Sequence, residues 1–408
     1  MTRPTSTEAV KHQNRSAILK LIREQGAISR VEIARALGLN PSTVSRLVDE
    51  LMAQELVIEG NERGHSTHRG GRRSIALKCN PEAGYLIGVD LGGTNIVGGL
   101  ATLDGEIVAR CCGSSRSATG EVGDGSLQRL IDLAQDLIRQ CPDPSRLWGV
   151  GVGAPAVTLS EEGIVTWAPA LGWRDLPLKQ IMEHALGLPV FVENDVNLAA
   201  LGEHWCGAAQ GVDDLVAIFI GTGIGSGVIL GGKLYRGAGH AAGEVGYMVV
   251  DVDSLERRYD QFGCLETLAS GSGIAVRART RIETDRKTIL ASLLGDDATA
   301  LTAEAVFDAA REGDPVAGEV VDETVRYLAL AVANVACVLN PEVIVIGGGV
   351  ARSADMLLDG IRQKVDGVVP QVPRLVASAL GKDAVVKGAF ALVLRQVSEV
   401  DWRIPERP

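Results

Sequence analysis

The chain has 408 residues, 46% of them hydrophobic and only 4% aromatic, with 40 Lys and Arg against 51 Asp and Glu for a net charge of −11. This supplies apolar core for two or three domains and excludes disordered, collagenous and disulfide-scaffold chains. Residues 1–78 carry 13 Lys and Arg against 8 Asp and Glu, a net of +5, so residues 79–408 carry 27 against 43, a net of −16. The seven cysteines are odd in number and scattered, with only Cys111 and Cys112 adjacent, which reads as reduced thiols. No apolar run reaches about 18 residues and the polar N-terminus has no signal-peptide core, so a cytoplasmic protein with no membrane partner is expected.

The basic head contains three helical patterns. Asn14 is placed to cap a helix with Ile18, Leu21 and Ile22 on one face, ended by Gly26. Ser29 with Glu32 makes a capping box for a short helix that stops at Gly38. Asn40 then caps a third helix, with Pro41 at its first position and Val44, Leu47, Val48 and Leu51 facing inward. A short helix, a glycine turn and a second helix predict a helix-turn-helix. On the outer face of the third helix, Ser42, Thr43, Ser45 and Arg46 suit phosphates and base edges in a major groove. Two short strands, 56–59 and 74–77, flank a loop containing Arg69, Arg72 and Arg73 beside Gly70 and Gly71, which predicts a winged, otherwise all-α head. Arginines beside glycines suit phosphate or minor-groove contact. The expected partner is double-stranded operator DNA, and the acidic remainder would stay off the duplex.

From Gly84 the chain reads as α/β. A buried strand, 85–90, ends at Asp90 and the loop Leu91, Gly92, Gly93, Thr94 and Asn95, where glycines let amides approach a phosphate and Asp90 suits a metal-bound water. A second strand, 215–220, runs into Gly221, Thr222 and Gly223, roughly 130 residues later, which predicts two duplicated lobes facing a cleft. A third glycine turn, Gly347, Gly348 and Gly349, follows the strand 343–346 and a long apolar helix from about Val316 to Leu339. Between the lobes, a strand delivers Asn194 and Asp195 to a sheet end. Asp195 there suits a general base on a substrate hydroxyl, and the same pair suits the N-cap of a helix expected over 197–205.

Together the winged head, Asp90–Asn95, Glu193–Asp195, Gly221–Gly225, Ala242–Gly246, Gly263–Glu266 and Gly347–Gly349 resemble the ROK family of repressors, uncharacterised reading frames and kinases. The resemblance spans nearly the whole chain. It implies a winged helix-turn-helix at 1–80 and an actin-like ATPase fold, shared by sugar kinases, Hsp70 and actin, in two lobes. These would be 81–196, closed by a C-terminal helix at 385–400, and 197–384. It also implies that the first two glycine loops hold ATP phosphates, the third glycine turn holds adenosine, and Asn194, Asp195, Glu244 and Glu266 meet sugar hydroxyls.

The departures from the family pattern are informative. Tyr247 stands where the family has a zinc- and sugar-binding His, Ala170 where it has a sugar-binding Asn, and of the cysteine motif only Cys264 remains. One thiolate cannot hold a tetrahedral zinc, so no zinc or other metal is expected and Cys264 reads as a small buried hydrophobe. Tyr247 is expected to face the effector, and losing an amide and an imidazole relaxes discrimination among hydroxyl patterns. Two readings follow. One is a regulator, expected to be a repressor, that senses a sugar-like effector and acts as a homodimer or dimer of dimers. The other is a kinase, or a bifunctional protein, that uses Mg-ATP with Asp195 as base.

Overall fold

A computed structural model describes residues 7–63, 75–115, 125–155, 157–259, 262–284, 288–293 and 301–399. In the head, helix α1 (Thr7–Gln25) begins seven residues before Asn14, which lies inside it. Residues 8–13 contain no Gly or Pro to stop the helix, and an Asn in a helix interior costs only a fraction of a kcal/mol. Strand β1 (Ile28–Ser29) is followed by helices α2 (Arg30–Leu37) and α3 (Pro41–Ala53). The capping box at Ser29 and Glu32 is present, and Gly38 ends α2 in the left-handed conformation. Asn40 caps α3, with Pro41 in its first turn. Strands β2 (Val57–Arg63) and β3 (Ile75–Cys79) are longer than the sequence suggests. They form a sheet of order β1-β3-β2, so strands pack with the helices here as well as in the body. Ile18, Ile22, Ile33, Val44, Leu47 and Leu51 form its core.

The first lobe contains β4 (Tyr85–Leu91), β5 (Asn95–Thr102), β6 (Ile107–Ser114), α4 (Ser126–Arg139), β7 (Leu147–Ala154), β8 (Val157–Leu159), β9 (Ile164–Ala168), β10 (Trp173–Leu176), α5 (Leu178–Leu186) and β11 (Val190–Asn194). The second contains α6 (Asp195–Cys206), β12 (Leu215–Ile220), β13 (Ile224–Leu230), β14 (Lys233–Leu234), α7 (Cys264–Ala269), α8 (Gly271–Thr284), α9 (Ala303–Arg311), α10 (Pro315–Leu339), β15 (Val343–Gly347), α11 (Ala354–Val365) and β16 (Arg374–Ala377), and α12 (Ala384–Glu399) ends the described chain. Two five-stranded sheets result, ordered β6-β5-β4-β7-β11 and β14-β13-β12-β15-β16. Both comprise three antiparallel strands joined to two parallel ones in the same order. The duplication expected from the glycine loops is therefore a duplication of topology.

Each sheet is covered on both faces, as its near-continuous apolar strands require. Leu130, Leu137, Leu178 and Met182 of α4 and α5 cover one face of the first sheet, and Val386, Phe390 and Val393 of α12 cover the other. The second sheet is covered by α7–α11 on one side and by α6 and α12 on the other. The pair α6 and α12 thus lies between the lobes. A Cβ on Gly388 would overlap the backbone of Leu198, and one on Gly202 would overlap that of Ala384, so the helices cross backbone to backbone.

Candidate functional site

Three parallel strands deliver the cleft residues to one sheet edge. Asp90 on β4 lies opposite Gly153 of β7, and Gly153 and Ala154 lie opposite Glu193 and Asn194 of β11. Carboxyl ends of parallel strands are where α/β sheets bind ligands. The Asn-Asp pair divides its work. Asn194 is the N-cap of α6, its Oδ1 accepting from Asn197 N at 3.0 Å, whereas Asp195 opens the helix and accepts from Val196 N at 2.8 Å.

The cleft is acidic. Burial, and then the neighbouring Asp90 carboxylate, raise the Asp195 pKa to about 7, with a smaller push from Glu244. Burial raises Asp90 to about 6. Glu244 is raised by burial and by Glu266, and the Tyr247 phenol by burial, Glu266 and Glu244. Asp90 and Glu244 act on Asp195, and Glu266 acts on Glu244 and Tyr247, so the five residues share one neighbourhood. Among the described residues none of the four carboxylates is in an ion pair. Such a set accepts hydrogen bonds from the hydroxyls of a polyol.

Glu266 is tied down further than the sequence suggests. One oxygen accepts from Ile224 N at 2.9 Å and the other from Gly263 N at 3.1 Å, so it staples the Gly221–Gly223 turn to α7. Within that turn Gly221 N donates to Gly223 O at 2.9 Å, and Thr222 is exposed. Gly347 lies opposite Phe219, and a Cβ on Gly348 would overlap the backbone of Ile220. The second and third glycine loops are thereby adjacent. In the first loop Gly92 N donates to Asn95 O at 2.9 Å, Thr94 and Asn95 are exposed, and a Cβ on Gly93 would lie 3.0 Å from Ala170. Sequence reasoning missed Arg236, whose Nε and Nη2 lie 2.7 Å from a buried Glu193 oxygen. The other Glu193 oxygen accepts from Asn194 N and Asn197 Nδ2, both at 3.0 Å. The only sequence signal was a Glu directly before the Asn-Asp pair.

The loop leading into α7 retains one cysteine, Cys264. Cys264 is buried, as expected. Among the described residues no group of three or more His, Cys, Asp or Glu is placed to hold a metal ion.

On α3, Ser42 and Arg46 are exposed and Thr43 and Ser45 half-buried. The Ser42 hydroxyl donates to Asn40 Oδ1 at 2.8 Å, and Arg46 pairs with Glu50 at 2.8 Å. Lys11 holds the same carboxylate at 2.9 Å. Glu50 thus places a carboxylate one turn after Arg46 on α3. Arg30 fixes the helix from α2, reaching the Ser45 carbonyl at 3.1 Å and Asp49 at 2.7 Å. Arg69, Arg72 and Arg73 lie outside the described residues.

A ROK family sequence profile matches residues 86–396, and a winged helix-turn-helix DNA-binding profile matches residues 11–58. The chain belongs to the ROK family. The xylose repressor of Caldicellulosiruptor bescii is 31% identical to it over 94% of this chain and 96% of its own. A glucokinase of Halalkalibacterium halodurans is 38% identical, over 78% of this ROK-family chain and 97% of its own. A crystal structure of a ROK family transcriptional regulator, a homologue of the E. coli MLC protein, superposes with a TM-score of 0.80 at 29% identity, covering 96% of this chain and 99% of that one. The regulator relatives share the head, whereas the kinase matches only about the body. Among the described residues no helix is long and apolar enough to cross a membrane.

Proposed function

We propose that this ROK-family protein is a transcriptional repressor of carbohydrate genes whose body senses a sugar-like effector. The observation that carries the reading is the union, in one chain, of a winged helix-turn-helix and a cluster of four carboxylates, in a chain that matches a xylose repressor over 94% of its length. Ser42, Thr43, Ser45 and Arg46 contact double-stranded operator DNA, together with Arg69, Arg72 and Arg73. Asn194, Asp195, Glu244, Tyr247 and Glu266 receive the effector. Two copies would meet half-sites about 34 Å apart, one helical turn. The test is selection of genomic fragments by the purified protein, followed by binding of those fragments to an Arg46→Ala, Arg72→Ala variant. Undiminished binding by the variant would sink the assignment. A thermal-shift screen of sugars identifies the effector, since a ligand at 100 times its Kd stabilises by about 2.7 kcal/mol.

One observation favours a second activity. Asp195, with its pKa near 7, is poised to take a proton from a substrate hydroxyl at neutral pH. With a sugar and Mg-ATP as substrates, Asp90, Thr94, Asn95 and the glycine turns at 92–93, 221–223 and 347–349 would surround the phosphates and nucleoside. ADP release abolished by Asp195→Ala would establish the kinase; release untouched by that change would assign it to a contaminant. For the loop around Cys264 we propose no structural zinc, and elemental analysis finding one zinc per chain would overturn this.

A further inference from the structure

Among the described residues, the head meets the body at the start of the strand that ends in the cleft. Trp148, the second residue of β7, packs against the head core and also against the core beneath α12. Its indole lies over the linker, where a Cβ on Gly84 would lie 2.8 Å from Trp148 Cδ1 and nearer still to Nε1. Gly84 has φ −165° and ψ 171°, a conformation any residue adopts, so the glycine is required by the indole and not by the backbone.

Arg146, just before β7, reaches the head itself. Its Nη2 lies 2.7 Å from Glu55 Oε2 and its Nη1 donates to Glu82 O at 3.3 Å. Glu55 follows α3 by two residues and is a non-glycine at φ +61°, a conformation that persists only where the surroundings hold it. They do so here, because Asn80 Nδ2 donates to Glu55 O at 2.8 Å and Asn80 N donates to Leu56 O at 3.0 Å. The linker is pinned once more where Leu103 N donates to Pro81 O at 3.0 Å. Hydrogen bonds, an ion pair and an indole thus replace what a Gly- or Ser-rich linker would leave free.

We propose that Trp148 and Arg146 are positioning residues for the recognition helix: they hold α3 in one attitude on the body, through the end of the strand whose other end lines the effector cleft. From Trp148 to Ala154 the strand spans about 20 Å at roughly 3.3 Å per residue. A ligand that shifts β7 therefore shifts the indole on which the head rests. The inference builds on the repressor reading for its DNA arm but not for its structural arm.

The test uses the full-length chain with Gly84→Ala as a steric wedge, alone and in a Trp148→Leu background. Hydrogen exchange is followed at residues 51–56, and DNA binding with fragments selected by the wild-type protein. Gly84→Ala is expected to speed exchange there and weaken DNA binding, each by about tenfold, because ordering a swinging head costs free energy at the duplex. The slope of binding against salt should stay unchanged, because the phosphate contacts are the same. In the Trp148→Leu background the wedge should add nothing. Arg146→Gln serves if Trp148→Leu does not fold, and should reproduce the loosening at residues 51–56. Unchanged exchange in Gly84→Ala, or equal losses in both backgrounds, overturns the proposal. Should the wild-type protein select no fragment, the repressor reading fails while exchange still decides the positioning role.

Discussion

Asp195 sets the chemistry of the cleft by being a carboxylate that the fold makes reluctant to ionise. Its pKa rises from the ordinary 3.8 to about 7, so between those values the folded chain holds a proton that the unfolded chain releases. Stability attributable to this residue therefore falls as pH rises through that window. Asp195→Asn is expected to be more stable than wild type by about 1 kcal/mol at pH 8 and indistinguishable at pH 4, in urea titrations at the two pH values. It should also lose effector binding. On the head, Arg46 is held by Glu50, and an exposed pair of this kind is worth under about 1 kcal/mol. Glu50→Gln frees the guanidinium and removes a negative charge beside the duplex. DNA affinity should rise by up to about fivefold at low salt and the gain should vanish at high salt, as read by fluorescence anisotropy.

Caps and turns succeed or fail as elements. Ser29, Glu32, Asn40 and Pro41 act within four residues of themselves, and the structure realises them as the residue pattern predicts. The expected start of α1 at Asn14 fails because a good cap does not stop a helix that has nothing to break it upstream. The three glycine turns were readable as loops, but which glycines are indispensable was not. Gly348 has φ +88° and its Cβ would overlap Ile220, whereas a Cβ on Gly349 meets nothing. Gly348→Ala is expected to cost about 2 kcal/mol or more and Gly349→Ala less than about 0.5 kcal/mol, measured as shifts in the urea midpoint.

At the scale of the molecule, a net charge of −11 describes neither half of the chain. A +5 head against a −16 remainder predicts DNA binding that falls steeply with salt, with a slope set by contacts of the head alone. Arg72→Ala should lower that slope by about 1, whereas charge changes in the exposed part of α10 should leave it unaltered. Two sheets of identical topology enclose α6 and α12, and this pair joins the lobes through the close crossing at Gly202 and Gly388. The lobes, the cleft and the head thus share one continuous frame through β7 and α12.

Residue order along the chain was enough to determine what is local: the caps, the glycine loops, the apolar strands and the charge division, and with them the family. Only the tertiary structure decided what depends on residues far apart. It buried Asp195 beside Asp90 and Glu244, which raise its proton affinity, and set Glu244 beside Glu266, which raises that of Glu244. It committed both oxygens of Glu266 to backbone amides, paired Glu193 with Arg236, and set Trp148 on Gly84. The physical reason is that a side chain's pKa and hydrogen-bond partners follow from distance and burial, which chain separations of 43, 64 or 154 residues leave unspecified until the sheets have formed.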